Sequence, residues 1–252
     1  MMKAALVQQV EKCIRQGKVR RAIRLLRQAA DAGETPLLCY QKLAELYRMQ
    51  RHYQRAIWAL RQAMRHTTDR DPLRTLLIEV MMESGNWDGA VQECRRWLRE
   101  SPDHPVPLEH LMDAYWHRME FQQALEFANR LVQLQPSSPH YRLRRAQLLD
   151  DMGRRAQAVE EYERLAFDRD APFEVAFLAQ LELGRLDQQQ MEILMPLLME
   201  DPAFRLQFLH DPIAAVRQRG FRFSNAAEEM LTYLPEEVRL MNNQAKRHGG
   251  YS

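Results

Sequence analysis

Five alanines stand at a constant spacing of 34 residues along the first two thirds of this chain. They are Ala22, Ala56, Ala90, Ala124 and Ala158. A fixed period of this length is typical of repeat architectures, in which each repeat is one supersecondary unit and neighbouring units stack into a shared core. The spacing therefore predicts a solenoid, a fold whose stacked surface usually serves to bind another molecule.

The composition favours helices over strands. Of the 252 residues, 46% are hydrophobic and only 9 are glycine. No long segment alternates apolar and polar residues with the period of a half-buried strand. No stretch approaches the roughly 18 apolar residues of a membrane span, and the N-terminus turns polar too early for a signal peptide. We therefore expect an all-α, cytoplasmic protein, with three cysteines that act as buried small hydrophobes.

The alanines define a register in which each of them occupies position 20 of its unit. The five units then begin at Lys3, Leu37, Asp71, Pro105 and Pro139. Position 20 must be small because two helices cross closely there. Glycine at position 15, as in Gly17, Gly85 and Gly153, suits a left-handed residue that ends the first helix. Each unit is thus predicted to be an antiparallel helix pair.

This register resembles that of the tetratricopeptide repeat family. The clearest unit covers residues 37–70, and its signature positions hold Tyr40, Leu43, Ala44, Tyr47, Tyr53, Ala56, Leu60 and Ala63. The resemblance implies a right-handed superhelical solenoid with five units in residues 3–172. Gln9 and Arg145 depart from the pattern, because both occupy the normally apolar position 7.

The period ends after Pro172, and residues 173–200 are predicted to form a degenerate capping helix pair. The first helix would run from Phe173 to Leu183 and be closed by Gly184, and the second would run from Asp187 to Met199. Pro196 near the end of the second helix predicts a kink.

A small helical segment is predicted for residues 201–241, followed by a disordered tail at 242–252. Asp-Pro pairs at 201–202 and 211–212 predict two helix starts, and Gly220 predicts the end of the second helix. Ser224 or Asn225 is expected to cap a third helix, with Glu228 completing a capping box after Asn225. The segment resembles the short helical segment in the leader regions of nitrile-hydratase-like ribosomal peptide precursors, and similar segments occur in small dioxygenase subunits.

The net charge of +2 conceals a strong asymmetry along the chain. Residues 1–70 contain 15 lysines and arginines against 5 acidic residues, whereas the remainder contains 21 against 29. The first segment therefore carries +10 and the rest −8. This division indicates an electrostatic polarity along the molecule.

The family resemblance implies that the first helix of each unit lines a binding groove. The groove residues are then Gln41, Glu45, Arg48, Glu79, Glu83, Glu109, His110, Asp113, Trp116, His117, Gln147 and Asp150. Most of the charged members are acidic, and Trp116 is expected to be exposed. We predict a scaffold or adaptor that captures a basic or amphipathic segment of a protein partner.

The second helices of units one and two are predicted to carry a basic convex patch. Its members are Arg20, Arg21, Arg24, Arg27, Arg55 and Arg61. The patch leaves two alternatives to the groove: head-to-tail self-assembly through oppositely charged ends, or an accessory role in the maturation of another protein. Peripheral contact with an anionic membrane also remains open. Nucleic acid is disfavoured because no stacking aromatics interleave with the arginines.

No catalytic constellation is found in the sequence. It contains no Gly-rich phosphate loop, no nucleophile in a recognisable setting and no His-Glu-x-x-His motif. His110, Asp113 and His117 share one helix face and would allow a metal, but they match no ligand motif and the groove accounts for them equally well. We predict a non-enzymatic protein without a metal or a cofactor.

Overall fold

The computed structural model describes residues 2–236 and the side chains from Ala4 onward. This part of the chain is all-α and contains no β-strand. The chain divides into two compact units, Met1–Phe127 and Ala128–Ser252. The predicted tail at 242–252, and the end of the segment at 201–241, lie outside the described residues.

Five helix pairs follow the predicted register. The first helices of the pairs are α1 (Met2–Arg15), α3 (Pro36–Met49), α5 (Asp71–Glu83), α7 (Pro105–His117) and α9 (Pro139–Asp151). The second helices are α2 (Val19–Asp31), α4 (Tyr53–Ala63), α6 (Trp87–Glu100), α8 (Phe121–Leu134) and α10 (Arg155–Ala166). A short 3-10 helix, Met64–His66, extends α4. The all-α solenoid of antiparallel helix pairs is therefore confirmed.

The periodic alanines lie where the helices pack most closely. All five have side chains with 0% exposure, from Ala22 in α2 to Ala158 in α10. Larger apolar side chains fill the neighbouring positions, including Tyr47, Leu60 and Trp97. A repeat buries its apolar face only against its neighbours, so these positions form the core within each unit.

Position 15 is left-handed in every repeat, whether or not it holds glycine. Gly17, Gly85 and Gly153 have φ of +70°, +74° and +70°, and Arg51 and Met119 have φ of +57° and +59° at the same place. This conformation lets the next N–H reach back to the end of the preceding helix. The turn is therefore set by the repeat geometry, and the two non-glycine residues accept backbone strain to make it.

Glycine at position 51 should relieve that strain. We expect Arg51→Gly to unfold at a higher temperature than Arg51→Ala, by about 1 kcal/mol in stability, because a Cβ is disfavoured in the left-handed region. Both variants lose the same exposed side chain, so their difference isolates the backbone. Thermal unfolding followed by circular dichroism measures it. A glycine variant no more stable than the alanine variant would contradict the strained turn.

Arg145 at the normally apolar position 7 is accommodated by an ion pair. Its Nη2 lies 2.5 Å from Oε1 of Glu161, a carboxylate that is 8% exposed as a residue. A half-buried charge needs a partner of this kind, because desolvation without one is costly. The charge that departs from the repeat pattern is thus neutralised by an ion pair between α9 and α10.

All three cysteines are buried and unpaired. Burial raises the pKa of the Cys94 thiol to about 12. The thiolate is the reactive form of cysteine, so a raised pKa makes this side chain inert. The cysteines occupy the core as small hydrophobes, as their positions in the repeats predict.

The predicted capping helix pair is wrong. Residues Phe173–Glu200 form one continuous helix, α11, with Pro196 inside it. Gly184 is helical here rather than left-handed. The buried residues of α11 recur every three or four positions on both sides of the glycine, from Val175 to Leu198. Packing of this apolar face outweighs the cost of a helical glycine, about 1 kcal/mol.

Three short helices complete the described chain: α12 (Pro202–His210), α13 (Pro212–Gln218) and α14 (Asn225–Leu231). Asp201 and Asp211 cap the first two through hydrogen bonds from Phe204 N–H at 2.9 Å and Ala214 N–H at 3.0 Å. The predicted helix starts are confirmed. The hydrogen bond from Phe204 N–H, followed by that from Arg219, holds the pKa of Asp201 below its usual value.

Ser224 is the N-cap of the third helix, and the alternative capping box that starts at Asn225 does not form. The Ser224 hydroxyl accepts a hydrogen bond from Ala227 N–H at 3.2 Å. Glu228 is drawn away by Arg217, which donates to both of its carboxylate oxygens at 2.9 and 2.7 Å. The ion pair with α13 therefore displaces the local capping interaction.

The link between α13 and α14 is held against α11 by side chains. Gln190, which is 1% exposed, accepts from Arg222 N–H at 2.6 Å and donates to the Arg222 carbonyl at 2.8 Å. Asp187 accepts from the N–H and the hydroxyl of Ser224 at 2.8 and 2.5 Å. These bonds anchor a small core around Phe204, whose other members surround α12.

None of the helices in residues 2–236 combines the length and the apolar character needed to cross a bilayer.

Candidate functional site

The predicted groove face of the compact unit Met1–Phe127 is the surface of α1, α3, α5 and α7, the first helices of successive pairs. Its centre is an ionic bridge between α3 and α5. Arg48 Nε donates to both carboxylate oxygens of Glu83 at 3.0 and 2.9 Å, and Nη2 donates to the same carboxylate. Arg48 Nη1 lies 3.6 Å from Glu79. Three predicted groove residues are thereby brought together.

The bridge changes the electrostatic character expected of the groove. The hydrogen bond to Glu83 raises the pKa of Arg48 above its ordinary value, so the guanidinium remains charged. The carboxylates of Glu79 and Glu83 are therefore partly neutralised by Arg48. The register places positions 12 and 13 of neighbouring repeats near each other, but it does not specify the separation of a few ångströms on which the ion pair depends.

An apolar hollow, which the repeat register did not predict, opens between α1 and α3. Its cavity is about 90 Å³, and its lining consists of Leu6, Val7, Val10, Glu11, Ile14, Leu26, Leu38, Lys42, Glu45, Leu46 and Met49. Met49 at its edge is 76% exposed. Lys42 and Glu45 form a 2.8 Å ion pair at the rim. The hollow is sized for part of an apolar side chain rather than for a large ligand.

The hollow and the ionic bridge lie on the same side of α3. Glu45 lines the hollow, and Arg48, one helical turn further on, forms the bridge. Residues three apart on a helix share one face. Gln41 is half-buried on the same helix. The groove face therefore combines an apolar depression with carboxylates on one continuous surface of the first unit.

The remaining predicted groove residues of the compact unit Met1–Phe127 lie on α7. Glu109, His110, Asp113 and Trp116 are half-buried, so Trp116 is less exposed than expected. His117 is exposed and its ring stacks on Trp87, with the ring centroids 4.9 Å apart. Across residues 2–236, no three His, Cys, Asp or Glu side chains are grouped closely enough to hold a metal ion.

Gln147 and Asp150 belong to α9 in the second unit. Asp150 is engaged by Arg185 of α11, which also donates to Glu182 at 2.6 Å. The hydrogen bond to Glu182 is the main reason that the pKa of Arg185 is raised, and Asp150 adds to it. The Asp150 carboxylate therefore forms an ion pair with α11, and its place in a groove stays a prediction. Gln147 is half-buried.

The predicted convex patch is exposed in all its members. They are Arg20, Arg21, Arg24 and Arg27 on α2, and Arg55 and Arg61 on α4. The guanidinium carbons of Arg27 and Arg55 lie 5.9 and 6.0 Å from the ring centroid of Tyr47. The other four arginines make no ion pair with any residue in the part of the chain that the structure describes.

Comparison with known proteins supports the repeat assignment. Residues 47–112 match the model of the tetratricopeptide repeat. MamA (residues 41 to the end) from Desulfovibrio magneticus RS-1 is similar in structure, with 15% identity and a TM-score of 0.50, over 64% of this chain and 91% of that one. A tetratricopeptide repeat protein from Parabacteroides merdae ATCC 43184 has 16% identity and a TM-score of 0.52, over 92% and 84%.

At these identities the likeness concerns the fold. No curated protein matches the chain. The groove and its partner are therefore argued from the residues themselves.

Proposed function

We propose that the predicted groove face of the compact unit Met1–Phe127 binds an amphipathic segment of a protein partner, since residues 47–112 match the tetratricopeptide repeat model. An apolar side chain of the partner enters the hollow between α1 and α3, and basic residues beside it meet the carboxylates of Glu79 and Glu83 on α5. The repeat fold itself supports a scaffold for protein–protein interaction and is in general not catalytic.

The observation that carries the proposal is the hollow beside the ionic bridge. An anchoring leucine would contribute less than the roughly 1.5–3 kcal/mol of full burial, because the hollow accepts only part of its side chain. Charged groups around such an anchor contribute chiefly to specificity and association rate. The two carboxylates of Glu79 and Glu83 share the single cation of Arg48, so this part of the face keeps a net negative charge that favours basic residues. A preformed helical surface also lowers the ordering cost of binding.

Arg48 provides a test that distinguishes a basic partner from other partners. We expect Arg48→Gln to tighten binding of a labelled Leu/Lys amphipathic helical peptide about two- to fivefold, because Glu79 and Glu83 are then released, and pairs of this kind are worth up to about 1 kcal/mol. Glu79→Gln with Glu83→Gln should weaken binding by a similar factor. Fluorescence anisotropy at low and moderate salt measures both effects.

The matched control is Arg55→Gln, which removes an exposed arginine from α4. It changes the net charge as much as Arg48→Gln does, but it leaves the groove face unchanged. Equal effects of the two arginine variants would show that only overall charge matters and would refute the groove. The same variants should then be compared against the native partner, obtained by co-purification from the cells that make this protein.

A further inference from the structure

An open cavity lined by arginines lies beside the start of α10 in the second unit. Its volume is about 660 Å³, and its lining residues are Gly153, Arg154, Arg155, Ala156, Gln157, Gly220 and Arg222. Three of these seven residues are arginines and none is acidic. We propose that this cavity binds the phosphoryl group of a small molecule, a function separate from peptide capture on the first unit.

The backbone at the start of α10 supplies hydrogen-bond donors to the cavity. The N–H groups of Gln157 and Ala158 both bond to the Arg154 carbonyl, at 3.1 Å each. The preceding N–H groups, of Arg155 and Ala156, have no acceptor among the described residues. No side chain caps this helix, and its first turn contains no acidic residue. Free N–H groups and the helix dipole together favour an oxyanion.

The arginine at the first position of α10 adds cationic charge at the positive end of the helix. Arg155 is exposed and forms no ion pair with a described residue. A cation in the first turn opposes the helix dipole and weakens the helix. An anion bound at this end of the helix would interact favourably with both the guanidinium and the dipole.

Arg222, which also lines the cavity, is held in place by hydrogen bonds. Its Nη1 donates to the carbonyls of Arg217 and Phe221 at 3.0 and 2.7 Å. Its main chain is clamped on both sides by the buried Gln190. Nε and Nη2 have no acceptor among the described residues. A guanidinium that is positioned in advance loses less entropy on binding, which is the arrangement required for an anion site.

A phosphoryl group suits this set of donors because it has more oxygens than a carboxylate, so it can meet the helix N–H groups and a guanidinium at the same time. Helix N-termini are common phosphate sites, and guanidinium groups bind phosphate oxygens in a bidentate manner. The cavity falls within the range of about 300–1,000 Å³ typical of small-molecule sites. Gly153 and Gly220 line it without side chains, which leaves space for the molecule that carries the phosphoryl group.

Titration of the full chain with pyrophosphate by isothermal calorimetry tests the proposal. We expect saturable binding that weakens with salt. Ala156→Glu should weaken it at least tenfold, because a carboxylate then occupies the lining. The same glutamate favours the N-terminus of a helix, so the thermal unfolding temperature should stay the same or rise. Arg155→Gln should weaken binding about three- to tenfold.

Arg169→Gln is the matched control, since it removes an exposed arginine of the same unit outside the cavity. It should leave pyrophosphate binding unchanged. The proposal is overturned if the wild-type chain fails to bind pyrophosphate at millimolar concentration, or if Arg169→Gln weakens binding as much as Arg155→Gln does. It is also overturned if citrate binds as tightly as pyrophosphate, because the cavity would then not select phosphoryl groups.

Discussion

Trp97→Ala is expected to lower the free energy of unfolding by about 3–5 kcal/mol. The indole is 1% exposed in α6 and fills the largest volume of any fully buried side chain in the described residues. One neighbour is the ring of His104, with centroids 4.6 Å apart, and another is the Arg74 guanidinium, 5.7 Å from the indole centroid. Truncation would leave a cavity at a site where the repeat cannot collapse.

Arg74 adds to this cost, because it is itself buried and paired. It is 7% exposed and its Nη2 lies 2.5 Å from Glu100. The indole face provides a cation–π contact for the buried Arg74 guanidinium, whereas the Glu100 side chain is 52% exposed. Loss of the ring would therefore disturb both the apolar packing and a charged pair between α5 and α6.

Trp58→Ala is the matched control, because the same side chain is 44% exposed on α4. It makes an edge contact with Tyr40, whose ring centroid is 5.7 Å away. Its removal should cost about 1 kcal/mol. Urea unfolding followed by circular dichroism compares the two variants. If Trp97→Ala destabilised the chain no more than Trp58→Ala, the buried packing of Trp97 would contribute no more to stability than a half-exposed side chain, which contradicts the prediction.

Gln190→Ala is expected to destabilise the C-terminal helices by about 2–6 kcal/mol. The substitution leaves both the N–H and the carbonyl of Arg222 without their partners, and each buried unsatisfied group costs about 1–3 kcal/mol. The adjacent phenylalanines, Phe221 and Phe223, would lose their fixed position in the small core that they share with Phe204. Hydrogen exchange in residues 201–231 should accelerate strongly.

The control for this variant is Gln189→Ala, which removes the same side chain from the exposed face of α11. It should leave exchange in residues 201–231 close to the wild-type rate. Exchange that is equally slow in Gln190→Ala and Gln189→Ala would mean that the hydrogen bonds to Arg222 do not hold the segment. The comparison separates the clamp from a general effect on α11.

The repeat domain was predictable because its contacts are local and periodic. Ala90 and its four equivalents occupy the same crossing in every pair, so one register assigns all the helices. Left-handed φ at position 15 follows from the same geometry, even where the residue is Arg51 rather than glycine. The helix caps at Asp201 and Asp211 are also local, since each involves a backbone N–H three residues away.

The errors arose where a local signal competes with packing. Gly184 indicates the end of a helix, but the apolar face of α11 continues through it and keeps it helical. Glu228 is suited to a capping box, but Arg217 binds it instead. In each case a residue distant in sequence provides the stronger interaction.

The kind of architecture, the position of each helix pair and the charge imbalance along the chain could be predicted from the sequence, because they depend on the 34-residue period and on composition, which need no knowledge of distances. The engagement of individual charges became visible only in the folded chain: Arg48 binds Glu83, whereas Arg155 forms no ion pair with a residue that the structure describes. The reason is physical. Ion pairs and cavities depend on side-chain separations of a few ångströms, which a repeat register does not specify.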